Sequence, residues 1–186
     1  MNAEFTIQGH VIETDRLLLR AFKPEDFDDF HAYGSQEGVA EMAGWSHETS
    51  EEESREYLDF FIAADYTFAI FHREDQKVIG SFGVKPYQVE LEPELEALKG
   101  REIGFVLAKE YWGQGLMPEA IEAVSARLFK DYDFDFLLAD HFDSNQRSAR
   151  VLEKCGFKPY RKEIIETALG PISGRLMLQM NPYRNG

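Results

Sequence analysis

Along the chain, short apolar runs alternate with stretches in which apolar residues recur every three or four positions. The short runs predict β-strands, and we expect them at residues 16–22, 66–72, 78–84, 101–108, 134–139, 160–167 and 175–180. The longer pattern predicts amphipathic helices, and we expect them at residues 24–34, 118–131 and 145–155. Because strands and helices are interleaved, the sequence predicts an α/β or α+β fold built on one layer of sheet.

A further helix is predicted from its first residues. Ser50 and Glu53 have the spacing of a capping box, and Leu58, Phe61 and Ile62 follow at helical spacing as its expected buried side. Residues 88–100 are rich in glutamate, which favours a solvated excursion or a short helix. The sequence contains no internal repeat, low-complexity tract or linker, so we expect one domain over residues 1–186.

Composition narrows the class of partner. The chain has 34 acidic and 20 basic residues and a net charge of −14. Nucleic acids are bound by clustered Lys and Arg, so this balance argues against them. A negative surface suits a cationic partner, or serves solubility alone. The N-terminus lacks secretory features, no apolar run approaches the roughly 20 residues of a membrane span, and Cys155 is the single cysteine. We therefore expect no membrane partner and a cytoplasmic location.

One turn has the features of a phosphate site. The predicted strand at residues 101–108 runs into a turn that contains Gly113-Gln-Gly115, and the turn leads directly into a helix. Backbone N–H groups at a helix start bind anions, and glycine lets a phosphate approach the backbone closely. The third glycine of a dinucleotide fingerprint, the Walker A sequence and a Gly-x-Ser-x-Gly elbow are all missing. The turn by itself thus predicts either phosphate binding or tight packing.

Histidine and cysteine do not indicate a metal. The five histidines lack metal-ligand spacing and have no partner cysteine, so we expect no metal site. His141 is expected to be an ordinary loop residue. Cys155 precedes a helix end on its apolar side, which favours a core position over a nucleophile.

A second segment runs from Asn145 to Gly156-Phe157 and follows the next strand. Together with the glycine turn it resembles the acetyl-CoA binding core of the GNAT N-acetyltransferases. Residues 13–20 and the segment Tyr111-Trp-Gly-Gln-Gly-Leu-Met117 are similar to the ribosomal-protein N-terminal (RimJ/RimL-like) branch. The resemblance covers about residues 11–180. It implies a mostly antiparallel mixed sheet flanked by helices, with two strands splayed at the acetyl-CoA site.

The resemblance also implies cofactor contacts. Main-chain groups of the splayed strand would pair with the pantetheine arm, namely those of Phe105, Val106 and Leu107. The pyrophosphate would lie against the amides of Gly113, Gln114, Gly115, Leu116 and Met117. Asn145 would bond the pantetheine, although a simple helix N-cap explains it equally well. Three basic residues either bind the adenosine 3′-phosphate or balance nearby acidic charge, and the sequence leaves both roles open: Arg147, Arg150 and Lys154.

Acetyl transfer to an amine needs a route for the amine proton and a donor for the departing thiolate. We predict Glu102 as the base, because it shares a strand and a face with the expected thioester position. The alternative is a structural charge paired with Arg101 or Arg16. Asp140, at the end of the next strand, is a second candidate base.

The general acid is harder to assign. Many relatives carry a tyrosine seven positions after the asparagine, whereas this chain has Leu152, which cannot donate a proton. Ser148, one turn beyond the asparagine, is the candidate acid or sulfur partner, or else an ordinary helix-surface serine.

These observations predict an acetyl-CoA-dependent N-acetyltransferase. Its acceptor would be a primary amine, either a protein N-terminus or a small polyamine-like or amino-sugar molecule. A non-catalytic acyl-CoA sensor is the alternative that Leu152 keeps open. A nucleotide-dependent dehydrogenase is disfavoured, because only about 70 residues follow Gly115. The sequence specifies neither the acceptor nor whether the chain forms an oligomer.

Overall fold

The structure is a computed structural model that describes residues 1–47 and 50–184. In this part of the chain, eight strands form one sheet with the spatial order β1-β2-β3-β4-β5-β6-β8-β7. The strands are β1 (Ile12–Glu13), β2 (Leu17–Ala21), β3 (Thr67–His72), β4 (Lys77–Lys85), β5 (Gly100–Leu107), β6 (Phe136–Phe142), β7 (Lys158–Ile165) and β8 (Ile172–Met180). Neighbouring strands are antiparallel except for β5 and β6, which are parallel. The predicted mixed, mostly antiparallel sheet is confirmed.

Helices cover both faces of this sheet. They are α1 (Phe27–Gly34), α2 (Glu51–Ala64), α3 (Pro93–Glu96), α4 (Leu116–Asp131) and α5 (Gln146–Lys154). α1 and α2 pack together over β3 and β4, and α4 and α5 pack together on the other side, where α4 also contacts β1 and β2. None of the helices in the described residues is long and apolar enough to cross a bilayer.

Helix α2 shows how local signals produce an element here. The Ser50 side chain accepts a hydrogen bond from the Glu53 N–H at 3.2 Å, as the predicted capping pattern requires. Leu58 and Phe61 are buried, but Ile62 is exposed, contrary to the prediction. Successive helical residues are rotated by about 100°, so Ile62 lies at the edge of the stripe that contains its two neighbours.

Two further expectations are corrected. His141 lies within β6 and is buried, because that strand continues past the predicted end at residue 139 and pairs with β8 as far as Phe142. The short strand β1 was not predicted, since two residues leave no readable pattern. The acidic stretch does contain a short helix, α3, and Leu91 within the stretch is buried.

The parallel pair β5 and β6 opens partway along its length. Residues 100–103 pair with residues 136–139, and within the described residues the pairing ends at Ile103 and Ala139. Beyond that point β5 remains paired only with β4, and β6 only with β8. The gap between the diverging halves lies at the carboxyl end of β5, directly before the glycine turn.

Candidate active site

A 3₁₀ turn, Lys109–Tyr111, follows β5, and the glycine turn at residues 112–115 then leads into α4. Gly113 and Gly115 both have φ of +79°, in the left-handed region where a side chain is strained. A Cβ at Gly113 would meet nothing within 4 Å, so the turn presents bare backbone to open space. Glycine is therefore required at these positions by conformation, and it leaves the surface of the turn uncovered.

This turn exposes a row of unused donors. Among the described residues, no acceptor bonds the backbone N–H groups of residues 113–117. Pro118 has no N–H to offer. These groups stand at the positive end of the sixteen-residue helix α4. Five free N–H groups at a helix start form a site for an anion such as a pyrophosphate.

An arginine from the far end of the chain supports the turn. Arg16 Nη1 donates to the Gln114 carbonyl at 2.9 Å, and its Nη2 pairs with Glu119 at 2.6 Å. Thr14 Oγ1 donates to the same carboxylate at 2.5 Å. The start of α4 is thereby fixed to the β1–β2 connection. Sequence reasoning missed this role, since nothing in a local pattern links positions 98 residues apart.

Trp112 links the turn to helix α5. Its indole Nε1 donates to the Leu107 carbonyl at 2.7 Å. The Arg147 guanidinium lies 4.5 Å from the centre of the indole ring, in a cation–π contact. Of the three candidate cations, Arg147 is thus the one placed beside the turn. The Leu107 carbonyl is occupied by the indole and is not a free acceptor in this structure.

Asn145 acts as the N-cap of α5. Its Oδ1 accepts a hydrogen bond from the Ser148 N–H at 3.1 Å, and its Nδ2 donates to the Met42 carbonyl at 3.3 Å. The structural explanation for this asparagine is therefore present. Ser148 is part-buried in the first turn of the same helix. Both residues lie just beyond the end of β6, near the mouth of the gap between the strands.

Leu152 and Cys155 are buried core residues. Burial raises the pKa of the Cys155 thiol to about 11, so it remains protonated near neutral pH. Its core position was predicted correctly. With Leu152 fully buried and apolar, α5 offers no hydroxyl at the position of the usual tyrosine.

The predicted base, Glu102, has a partner that the sequence did not indicate. Lys85 Nζ lies 2.7 Å from Glu102 Oε1, and the Glu102 side chain is 8% exposed. The alternative considered from the sequence, a pairing of Glu102 with Arg101 or Arg16, is wrong as to the partner. Arg101 donates to the Ala3 carbonyl at 2.6 Å, and Arg16 binds Glu119. Lys85 and Glu102 are directly opposite each other on β4 and β5, which brings the two charges together.

Asp140 joins this pair from β6. Glu102 is paired with Leu138, and Asp140 lies two residues further along on the same face. Within residues 1–47 and 50–184, the Asp140 side chain forms no hydrogen bond or ion pair. The two candidate bases thus stand together at the point where β5 and β6 separate.

The electrostatics of this cluster are those of buried acids with one cation. Burial raises the pKa of Glu102, the charge of Lys85 opposes that rise, and Asp140 adds to it. Burial likewise raises the pKa of Asp140. Burial alone would lower the pKa of Lys85, but the two carboxylates outweigh it and raise the pKa. A carboxylate whose pKa lies closer to neutrality is better suited to accept a proton at physiological pH.

The same face of the sheet forms a groove beside this cluster. Three cross-strand pairs of β4 and β5 lie in successive rows on it, namely Ser81–Val106, Gly83–Gly104 and Lys85–Glu102. The middle row has no side chains, and a Cβ at Gly104 would meet nothing within 4 Å. The floor of the groove is therefore bare backbone, with space above it for a substrate.

An apolar cavity of about 20 Å³ adjoins the first row of the groove. Aromatic residues of α1, α2 and the connection between them line it together with Ser81 and Val106; they are Phe30, Tyr33, Trp45, Tyr57 and Phe61. The indole N–H of Trp45 is buried without a hydrogen-bond partner in the described part of the chain. The cavity offers apolar space beside the splayed strand.

The described residues contain no group of three or more His, Cys, Asp or Glu side chains placed to hold a metal ion. The arrangement instead fits coenzyme A on structural grounds. In the described residues, 104–107 no longer pair with β6, and apart from the Leu107 carbonyl, which accepts from Trp112, this edge of β5 is open to an extended amide chain. The free N–H groups of the turn suit the pyrophosphate that follows such a chain.

Comparison with known proteins agrees with this geometry. The "Uncharacterized N-acetyltransferase YoaA" of Bacillus subtilis (strain 168) is 26% identical over 153 residues, which are 80% of this chain and 82% of that protein. RimL, described as a ribosomal L7/L12 α-N-protein acetyltransferase in complex with coenzyme A, shares the fold with a TM-score of 0.72 and 17% identity, covering 92% of this chain and 98% of that chain.

A second solved structure with this fold is spermidine N-acetyltransferase from Vibrio cholerae in complex with CoA and spermine. Its TM-score is 0.67 at 17% identity, covering 90% of this chain and 97% of that chain. The family model of the acetyltransferase (GNAT) domain matches residues 16–158. This chain therefore belongs to the GNAT acetyltransferase family and is an N-acetyltransferase.

Proposed function

We propose that this protein transfers the acetyl group of acetyl-CoA to a primary amine by direct attack of the amine on the thioester. The observation that carries the proposal is the continuity of the site. The free N–H groups of residues 113–117, the unpaired edge of β5 and the groove over Gly104 follow one another along the chain and in space. An elongated substrate with a phosphate end and a reactive end fits such a path.

Acetyl-CoA is held at two places in this proposal. Main-chain groups of Phe105, Val106 and Leu107 face the pantetheine arm, with the Leu107 carbonyl already bonded to Trp112. The amides of Gly113, Gln114, Gly115, Leu116 and Met117 bind the pyrophosphate. Asn145 contacts the pantetheine through its amide once the bond to Met42 is exchanged. The thioester then lies near Val106, one row from the bare floor at Gly104.

The chemistry requires one proton to leave the amine and one bond to be exchanged. The neutral amine nitrogen attacks the thioester carbon, the C–N bond forms, and the C–S bond breaks with the electron pair leaving on sulfur. Glu102 receives the amine proton, directly or through a water molecule, since its buried carboxylate stands two residues from Gly104 on the same face. Ser148 is the proposed donor of a hydrogen bond to the departing thiolate, which takes up a proton from water, while Glu102 releases the amine proton to solvent.

For the acceptor we propose a protein N-terminal α-amine first, in keeping with the RimJ/RimL-like segments of the sequence. An α-amine has a pKa of about 7.7–8.0, so a useful neutral fraction exists near neutral pH. A polyamine-like small molecule is the second candidate. The pair Glu102 and Asp140 favours it, because the pair carries one more negative charge than Lys85 balances. The net charge of −14 favours a cationic acceptor of either kind.

A thiol-release assay with acetyl-CoA across an amine panel tests the proposal. The panel contains peptides with free N-termini, the same peptides blocked at the N-terminus, polyamines and amino sugars. We expect release that depends on a free amine and exceeds the rate of acetyl-CoA hydrolysis. Thermal shift with CoA, and with NAD as the control ligand, shows in parallel that the cofactor site is intact.

The alternative, a non-catalytic acyl-CoA sensor, predicts a different outcome. It predicts a thermal shift with CoA and no thiol release with any amine. That result would overturn the proposed transferase activity while leaving the cofactor site in place. A shift with NAD but not with CoA would overturn the cofactor assignment itself.

A further inference from the structure

We propose that Lys85 is a positioning residue for acetyl transfer, whose ammonium group holds the Glu102 carboxylate beside the splayed strands in readiness for the acceptor's proton. This inference rests on the proposed function and on Glu102 as its base. Lys85 lies on β4, outside every segment that resembles the acetyl-CoA binding core.

The geometry of the pair gives Lys85 this role. Its side chain is 46% exposed, whereas that of Glu102 is 8% exposed, so the lysine reaches from the protein surface to a buried acid. Its Nζ contacts Glu102 Oε1 at 2.7 Å, and within the described residues it is the ion-pair partner of that carboxylate. A buried carboxylate without such a partner rotates away or takes up a proton.

The neighbours of Glu102 other than Lys85 do not hold its carboxylate in place. The next row of the same face consists of Gly83 and Gly104, which have no side chains to restrain the carboxylate. Leu138, which is paired with Glu102, is apolar and cannot bond the carboxylate, and Asp140, two residues further on the same face, repels it. The bare floor that leaves room for a substrate therefore also removes packing that would otherwise fix the base in place.

Titratable groups on neighbouring strands shift the pKa values of Lys85, Glu102 and Asp140. Lys85 of β4 lowers the pKa of Glu102, and Asp140 of β6 raises it. Tyr66, just before β3, raises the pKa of Lys85, and His141 of β6 lowers the pKa of Asp140. The charge of Lys85 thus lowers the pKa of both buried acids, Glu102 and Asp140.

These opposite signs give the inference a sharp test. Removal of the Lys85 charge takes away an effect that lowers the pKa of Glu102, so the pKa rises and the carboxylate forms only at higher pH. Removal of the Asp140 charge takes away an effect that raises the pKa, so the carboxylate forms at lower pH. A lysine with a purely structural role would lower activity without moving the pH limb.

The experiment measures the pH dependence of kcat with one acceptor amine for the wild type, Lys85→Met, Lys85→Arg and Asp140→Asn. An opposite charge at this distance shifts a carboxyl pKa by about 1–3 units. We expect the acidic limb to move up by about one unit in Lys85→Met, to move down in Asp140→Asn, and to stay near the wild-type position in Lys85→Arg. The acceptor's own titration is common to all four proteins and does not contribute to the differences.

Lys158→Met, on the exposed edge strand β7, is the matched control and leaves the limb in place. Thermal shift with CoA verifies that each variant is folded, and Lys85→Gln replaces Lys85→Met if the latter fails that check. An unmoved limb in an active, folded Lys85 variant overturns the inference, as does a shift of the same sign in the Lys85 and Asp140 variants. Failure of the wild type to acetylate any amine overturns the proposed function instead, so the two failures are distinguishable.

Discussion

The glycine turn and the groove over Gly104 are built by opposite means. The turn, residues 112–115, and the first residues of α4 together present the free backbone N–H groups of residues 113–117. The groove is assembled from strands β4, β5 and β6, and its working groups are the side chains of Lys85, Glu102 and Asp140. A backbone site tolerates most side-chain changes but no change of conformation, whereas a side-chain site depends on each charge.

The two regions also differ in the sign of the ligand charge that each of them suits. The turn places free N–H groups at the positive end of α4, with Arg16 and Arg147 nearby, and this arrangement suits an anion. The groove carries two acids and one lysine and suits a cation. The proposed places for a polyanionic substrate and a cationic one thus lie along β5 and in the turn that follows it. Variants that affect one region and spare the other test this division.

The largest expected effect is at the proposed base. Glu102→Gln keeps the size of the side chain but cannot accept a proton, so kcat falls by at least about 100-fold, the lower end for a lost general base. The KM for acetyl-CoA stays nearly constant, because the turn is untouched. Steady-state kinetics with the best amine of the panel measures both values.

Glu163→Gln is the matched control for this variant. Glu163 is also an ion-paired glutamate on a strand, 2.8 Å from Arg161 in β7, and its replacement leaves kcat unchanged. If Glu102→Gln kept nearly full kcat with every accepted amine, Glu102 would be a structural carboxylate and Asp140 or solvent would take its role.

The next effect concerns the turn. Gly115→Val places a branched side chain at φ of +79°, beside the donors that face the pyrophosphate. The Kd for CoA rises at least tenfold, equivalent to about 1.4 kcal/mol. Titration of the folded variant with CoA measures it.

Gly170→Val controls for backbone strain, since Gly170 has φ of +99° in the β7–β8 connection with open space around its Cβ position. This control leaves CoA affinity unchanged. Equal CoA affinity in the wild type and in Gly115→Val would show that the turn serves packing only.

A bulky residue on the groove floor changes the groove and leaves the glycine turn unchanged. Gly104→Val fills space that a Cβ would enter without contact, so the fold is retained. The KM for the acceptor rises about tenfold while the Kd for CoA stays within a few-fold of the wild type, because the acceptor loses its place over the floor. Gly104→Ala gives a smaller rise in the same direction. Unchanged acceptor kinetics in both variants would place the acceptor elsewhere.

The smallest expected effect is at Ser148. Ser148→Ala removes the proposed donor to the thiolate and lowers kcat by at most about tenfold, because a thiol with a pKa near the cysteine value of about 8.5 leaves tolerably well as an anion. Ser148→Thr keeps a hydroxyl and restores most of the activity. A rate for Ser148→Ala equal to that of the wild type would make this residue an ordinary helix-surface serine.

Local sequence was sufficient for much of this protein. Alternating and helical patterns located the strands and the longer helices, and the Ser50 cap was read from two residues. The glycine turn was recognised because it is formed by consecutive residues whose conformations depend on the absence of a Cβ. Cys155 was placed in the core for a similar reason, since its helix shows which side is apolar.

The tertiary structure decided how distant positions meet. The register of β4 against β5 puts Lys85 opposite Glu102, 17 positions away in the sequence, and nothing in either local segment specifies that register. Arg16 reaches the turn because β1 and β2 lie beside α4, and His141 is buried because β8 extends its strand. Local patterns determine which residues form strands and helices, but the pairing of strands determines which charges face each other. The glycine turn could therefore be recognised in the sequence, whereas Lys85, the partner of the proposed base Glu102, could not.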